Sequence, residues 1–117
     1  MMTDHPSGVA AEELAARYLA ARGLRVVARN FRCRFGEVDL IMQDGDALVF
    51  VEVRLRRSNR FGGALASITH AKQRKLVATA RFYLSGLRHT PGCRFDAIVL
   101  DALDEAHIEW LRDIISE

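Results

Sequence analysis

Cysteine, proline, lysine and aromatic residues are all scarce in this 117-residue chain. Cys33 and Cys93 stand alone, without a CxxC pair or a neighbouring histidine. That excludes zinc-ligand spacing and a disulfide framework, and fits a reducing compartment where both stay as thiols. His5, His70, His89 and His107 are scattered, and read as ordinary surface or helix-end residues. With two prolines, no repeat and no low-complexity tract, the chain has no linker and reads as one domain, residues 1–117. No apolar run approaches the ~20 residues of a membrane helix. Met1 to Gly8 has no basic region followed by a hydrophobic stretch, so a cytoplasmic protein is expected. Aromatic residues make up 8% of the chain and Trp110 lies in an acidic tail, so a base-stacking platform is not expected.

What remains is a chain half apolar and about a quarter charged, the profile of a globular domain. Its net charge of +2 hides a division. Residues 1–94 hold 16 Lys or Arg against 8 Asp or Glu, a balance of +8. Residues 95–117 hold Arg112 against seven acids, a balance of −6. A basic field of that size suits a polyanion, and phosphate contacts dominate nucleic-acid affinity. Arg54 to Arg60 (RLRRSNR) runs into Phe61-Gly62-Gly63, and Arg32 and Arg34 lie upstream. Arg32, Arg34, Arg56, Arg57, Arg60 and Lys72 are the expected backbone grips. The plainer reading of such a cluster is a solvated face.

The stretch Gly36 to Arg54 carries the chemistry. Asp44-Gly45 separates two alternating apolar runs, a strong hairpin signal. Side chains alternate faces along a strand, so Glu37 and Asp39 share a face, as do Glu52, Arg54 and Arg56. A two-residue turn at Asp44-Gly45 sets Glu37 opposite Glu52, whereas a four-residue turn sets Asp39 opposite Glu52. Either register gathers three carboxylates on one face. Leu48 to Val51 is an unbroken apolar run, the mark of a strand covered on both faces, so Glu52 emerges at the end of a buried strand. Like carboxylates at reduced dielectric repel, and a hard divalent cation such as Mg2+ removes the conflict. The competing reading is a salt-bridge network in which Arg54 and Arg56 neutralise the acids.

Flanking elements follow from periodicity. Val9 to Arg22 is a predicted helix with Leu14, Ala15, Tyr18 and Leu19 on its apolar face. Glu12 precedes Ala15 and Leu19 by three and seven residues and points to that side, whereas Glu13 pairs outward with Arg17. Gly23 ends the helix and Leu24 to Ala28 is a strand. Thr69 caps a second helix reaching about Leu84, with Leu76, Ala80, Tyr83, Leu84 and Leu87 as its core face. Lys72 lies at its inward-facing start, while Arg74, Lys75 and Arg81 point outward. Phe95 to Leu100 reads as a buried strand, and Ile108 to Ile115 as a strand or short helix. The order implies an α/β domain of three layers with a mixed central sheet.

Gly36-Glu37-Val38-Asp39-Leu40, Phe50 to Arg56 and Phe61-Gly62 resemble the YraN-like family, uncharacterised protein family 0102. Ala11-Glu12, Tyr18-Leu19, Arg29 to Arg32, Lys72, Tyr83-Leu84 and Arg94 to Asp96 extend the resemblance over nearly the whole chain. That family is grouped with the restriction-endonuclease-like superfamily and is similar to archaeal Holliday-junction resolvases. The resemblance implies a restriction-endonuclease-like core and a predicted nuclease. On its pattern Asp39 and Glu52 are metal ligands, Glu12 is a helix-borne acidic partner, and position 54 carries the catalytic cation. The family has Lys where Arg54 stands. Arginine cannot release its proton, so Arg54 could clamp phosphate but not act as a base. Only Lys72 and Lys75 of 17 basic residues are lysine, so the replacement belongs to a chain-wide preference. The expectation is a metal-dependent endonuclease hydrolysing DNA, branched or otherwise structured, rather than RNA. Mg2+ or Mn2+ would sit on Asp39 and Glu52, helped by Glu12 or Glu37 and the Val53 carbonyl. A homodimer would supply the two sites that cutting both strands needs. The alternatives are a non-catalytic nucleic-acid-binding module and a protein-interaction domain acting through the acidic tail.

Overall fold

The computed structural model of the protein describes residues 6–55 and 68–115. Five strands form one sheet in the order β1-β2-β3-β4-β5. They are β1 (Arg25–Cys33), β2 (Gly36–Asp44), β3 (Ala47–Leu55), β4 (Gly92–Leu100) and β5 (Ile108–Leu111). Helix α1 (Pro6–Ala20) precedes the sheet and α2 (His70–Ser85) connects β3 to β4. β1, β2 and β3 pair antiparallel, β3 and β4 parallel, and β4 and β5 antiparallel. The sheet is therefore mixed, and the crossover through α2 is what a parallel pair requires. No helix among the described residues is long and apolar enough to cross a membrane.

The helices cover opposite faces, giving the three layers expected from the sequence. Ala11, Ala15, Ala16 and Leu19 of α1 pack on Leu40, Met42, Val49, Val51, Ile98 and Leu100. The three alanines let the helix backbone approach the sheet closely. Leu76 and Ala80 of α2 pack on Val38, Ile41, Leu48, Phe50 and Phe95. Leu48 to Val51 is buried throughout, as its unbroken apolar run requires. Burial of a side chain the size of Phe50 contributes about 1.5–3 kcal/mol, so these two layers carry the fold.

Several boundaries move. β1 continues to Cys33, five residues past the predicted end at Ala28. α2 starts after Thr69, whose Oγ1 accepts the Lys72 N–H at 3.2 Å. Leu87 falls beyond the helix and is exposed, so it is no part of the core face. Ile108–Leu111 is a strand; after it the chain turns at Asp113 (φ 54), which donates its N–H to Asp96 at 2.9 Å. Asp96 is fully buried on β4 and also accepts from Trp110 Nε1 at 3.0 Å and Arg94 Nε at 3.1 Å. Three donors offset the cost of burying that carboxylate.

The register of the central hairpin settles which carboxylates meet. Asp44 pairs with Ala47 and Leu40 with Val51, which places Asp39 opposite Glu52 by continuation. Gly45 takes φ 60 at the first central position of the turn, the pattern of a type II′ loop. The loop is thus Gly45-Asp46, one residue later than an Asp44-Gly45 centre.

Alternation also breaks inside β1 and β2. Leu40 packs under α1 and Val38 under α2, although residues two apart normally share a face. Their β1 partners repeat the break: Arg29 reaches Glu13 of α1, whereas Phe31 packs against Tyr83 of α2. Between Arg29 and Phe31, Asn30 has φ 50, a region asparagine tolerates.

Candidate active site: a carboxylate cleft

Hydrogen-bond pairing of β2 with β3 runs as far as Leu40 and Val51. Beyond that point a cleft of about 530 Å³ is bounded by both strands and the first turns of α2. Glu37, Asp39, Glu52, Arg54 and Lys72 all line it. Their strands come from opposite sides of the hairpin, and the continued register brings Asp39 and Glu52 together. Asp39 Oδ2 accepts the Val53 N–H at 2.8 Å, which ties its carboxylate to the edge of β3.

The pair's electrostatics are those of crowding. Burial, and then the neighbouring Glu52, push the Asp39 pKa up to about 7. The Glu52 pKa is also raised, mainly by burial, although Arg54, the Asp39 hydrogen bond and Lys72 pull it back down. The two carboxyl groups interact directly and therefore titrate as a pair. Arg54 Nη2 lies 3.0 Å from Glu52 Oε2. Its Nε is buried without a hydrogen-bond partner among the described residues. A buried guanidinium N–H left unpaired is costly, and an anionic oxygen is its natural acceptor.

The other expected residues divide. Arg32 lines the cleft and lies 3.4 Å from Glu37. Lys72 lines it from α2, as expected of the helix's inward-facing start. Arg34 sits in the β1–β2 turn with its guanidinium 4.9 Å from the Phe35 ring centre. Glu12 is half-buried on α1 and is not among the cleft-lining residues. Arg56, Arg57 and Arg60 lie outside the described residues.

Some lining residues were not singled out from sequence. Lys75, expected to point outward, lines the cleft together with Leu76. Lys72, Lys75, Leu76 and Thr79 follow the i, i+3, i+4, i+7 spacing, which was the signal available. Gly36 also lines it, at φ 146 with its backbone against α2; a Cβ there would meet Thr79 Oγ1 at 3.1 Å. Close approach of hairpin and helix is therefore built on a residue without a side chain. Among the described residues no three His, Cys, Asp or Glu side chains form a ready metal cluster. The acidic core of the cleft is a pair.

Residues 11–100 match the family described as Uncharacterised protein family UPF0102. A UPF0102 protein of Nitrosomonas europaea is 52% identical over 110 residues, covering 94% of this chain and 93% of the relative. One from Nitrosospira multiformis is 54% identical over 112 residues, covering 96% and 94% respectively. Another, from Psychromonas ingrahamii, is 46% identical over 117 residues, covering 100% and 95%.

Proposed function

The chain belongs to the UPF0102 family, and for it we propose metal-dependent hydrolysis of phosphodiester bonds in DNA. The observation that carries this reading is the Asp39–Glu52 pair, held beside Arg54 with an unpaired buried Nε. Two crowded oxygen donors with raised pKa values fit a hard cation, because Mg2+ takes one or two carboxylates and keeps several waters. Asp39 and Glu52 would hold Mg2+ or Mn2+, with the Val53 carbonyl and Glu37 as further oxygen donors; Glu12, which does not line the cleft, has no part in this site. Bound there, the cation supplies Lewis-acid polarisation of a phosphoryl oxygen and a lowered pKa for attacking water.

This chain's own residues do the rest. Arg54 places its Nε against a phosphate oxygen and stabilises charge that develops there, while its Nη2 offsets part of the burial that raises the Glu52 pKa. Lys72 and Lys75 add positive charge from the start of α2, where helix N–H groups also favour a phosphate. Arg32 and Arg34, with Arg56, Arg57 and Arg60 of the sequence that follows β3, would supply further phosphate contacts. A homodimer would present two such clefts to the two strands.

One observation favours a second reading, a non-catalytic nucleic-acid-binding module. Arg54 already forms an ion pair with Glu52 at 3.0 Å and cannot give up a proton. Incubation of duplex, branched and flapped DNA with Mg2+ or Mn2+, beside an Asp39→Ala control, decides between them. Cleavage that depends on metal and on Asp39 supports the nuclease. Its absence from wild type while DNA binding survives supports the module.

A further inference from the structure

A second groove, about 680 Å³, runs along the outer face of α2 next to the carboxylate cleft. Phe35 from the β1–β2 turn and Phe82 from α2 form its aromatic floor, with ring centres 5.9 Å apart. Both rings stay exposed, at 40% and 44%, and Phe31 supports Phe82 from below at 6.3 Å. Arg74 and Arg81 line the same groove. Cleft and groove have no lining residue in common, but both are built on the β1–β2 turn and α2: Cys33 and Gly36 of the cleft flank Phe35 in sequence, and Lys75 of the cleft follows Arg74 of the groove.

We propose that this groove holds the unpaired strand of a DNA substrate, with bases stacked on Phe35 and Phe82 and phosphates held by Arg74 and Arg81. The inference deepens the proposed function by naming a substrate class, DNA with a single-stranded segment beside the cleft. Adjacent exposed aromatics mark an interaction surface rather than a solvated one. Charge selects the occupant. α2 carries Lys72, Arg74, Lys75 and Arg81 and no Asp or Glu. Among the described residues no carboxylate side chain lines the groove. A second copy docked about a two-fold axis would set that basic face against itself. A polyanion with flat apolar bases satisfies rings and cations together, which is how proteins hold single strands.

Fluorescence anisotropy in chelator, with a blunt duplex and the same duplex carrying an overhang of about ten nucleotides, tests this. Wild type should prefer the overhang duplex. The Phe35→Ala, Phe82→Ala double variant should bind that duplex about tenfold more weakly and the blunt duplex unchanged. Phe82→Leu keeps the apolar packing on Phe31, so it should remain folded yet lose the preference, while Phe82→Trp should keep it. Equal wild-type affinity for the two duplexes overturns the proposal, and so does a preference that survives in Phe82→Leu. A double variant that dissociates a dimer but retains the overhang preference also overturns it. Because the assay excludes metal, its outcome is separate from cleavage. Overhang preference without cleavage removes the nuclease reading alone, and Asp39-dependent cleavage without overhang preference removes this one alone.

Discussion

Asp39→Asn removes the conflict built into the cleft, and the consequence is a stability that depends less on pH. In the folded protein burial and Glu52 hold the Asp39 pKa at about 7, against an ordinary 3.8. About three units correspond to at most ~4 kcal/mol of preference for the protonated form. For a raised folded-state pKa, that stabilisation is complete below the unfolded value and is lost as pH climbs through the folded one. Metal-free wild type should therefore lose stability between about pH 4 and pH 8. Asparagine keeps an oxygen to accept the Val53 N–H and offers its NH2 to Glu52, as the protonated acid does. The variant should depend on pH less steeply over that window, because burial still raises the Glu52 pKa, and should exceed wild type by about 2 kcal/mol near pH 8. Urea denaturation in chelator across the pH series measures both curves. Added Mn2+ at millimolar concentration should stabilise wild type near pH 8 and leave the variant unmoved. Parallel pH profiles for the two proteins, or a variant less stable than wild type near pH 8, would refute the reasoning.

On the proposed function, Arg54→Lys should cleave faster than wild type in single-turnover assays, because lysine is smaller and leaves more room for a water-bearing phosphate; Arg54→Ala should lose most activity, about a hundredfold or more. Gly36→Ala adds a Cβ at φ 146 only 3.1 Å from Thr79 Oγ1, so thermal or urea unfolding should show a loss of about 1–3 kcal/mol. Replacing Arg56, Arg57 and Arg60 together by alanine should weaken DNA binding across all sequences and flatten its dependence on salt, with little change in fold stability. An unchanged salt slope would move the phosphate contacts to Lys72, Lys75, Arg74 and Arg81.

The layers of this fold were legible because period and burial agree. The unbroken apolar run at Leu48 to Val51, and the run at Phe95 to Leu100 interrupted only by Asp96, read as strands covered on both sides. Alternation around Asp44-Gly45 likewise identified the hairpin. Its register was not legible, and the reason is geometric. The two candidate registers differ by two residues, a slip that returns every side chain to its original face. Hydrophobic pattern is blind to that choice, and the turn makes it: Asp44 stays in the ladder opposite Ala47, leaving Gly45 with its positive φ as the first central residue. Phe35 and Phe82 were hidden for another reason. They lie 47 positions apart, and only the packing of α2 against the β1–β2 turn brings their rings together.

The feature least visible in sequence is the one that creates the site. Val38 and Leu40 are apolar residues two apart, so regular alternation would bury both beneath the same helix. They pack on opposite faces, and across the ladder Arg29 and Phe31 do the same around Asn30 at φ 50. A strand that changes faces over two residues turns its middle side chain towards the plane of the sheet. Asp39 is that residue, and its carboxylate accepts a backbone N–H of β3, a donor that itself lies in that plane. The twist therefore sends Asp39 into the gap where β2 and β3 part, beside Glu52, rather than beneath either helix. An asparagine with φ above zero leaves no trace in any hydrophobic period. The carboxylates could be named from sequence, but the device that turns Asp39 towards Glu52 could not.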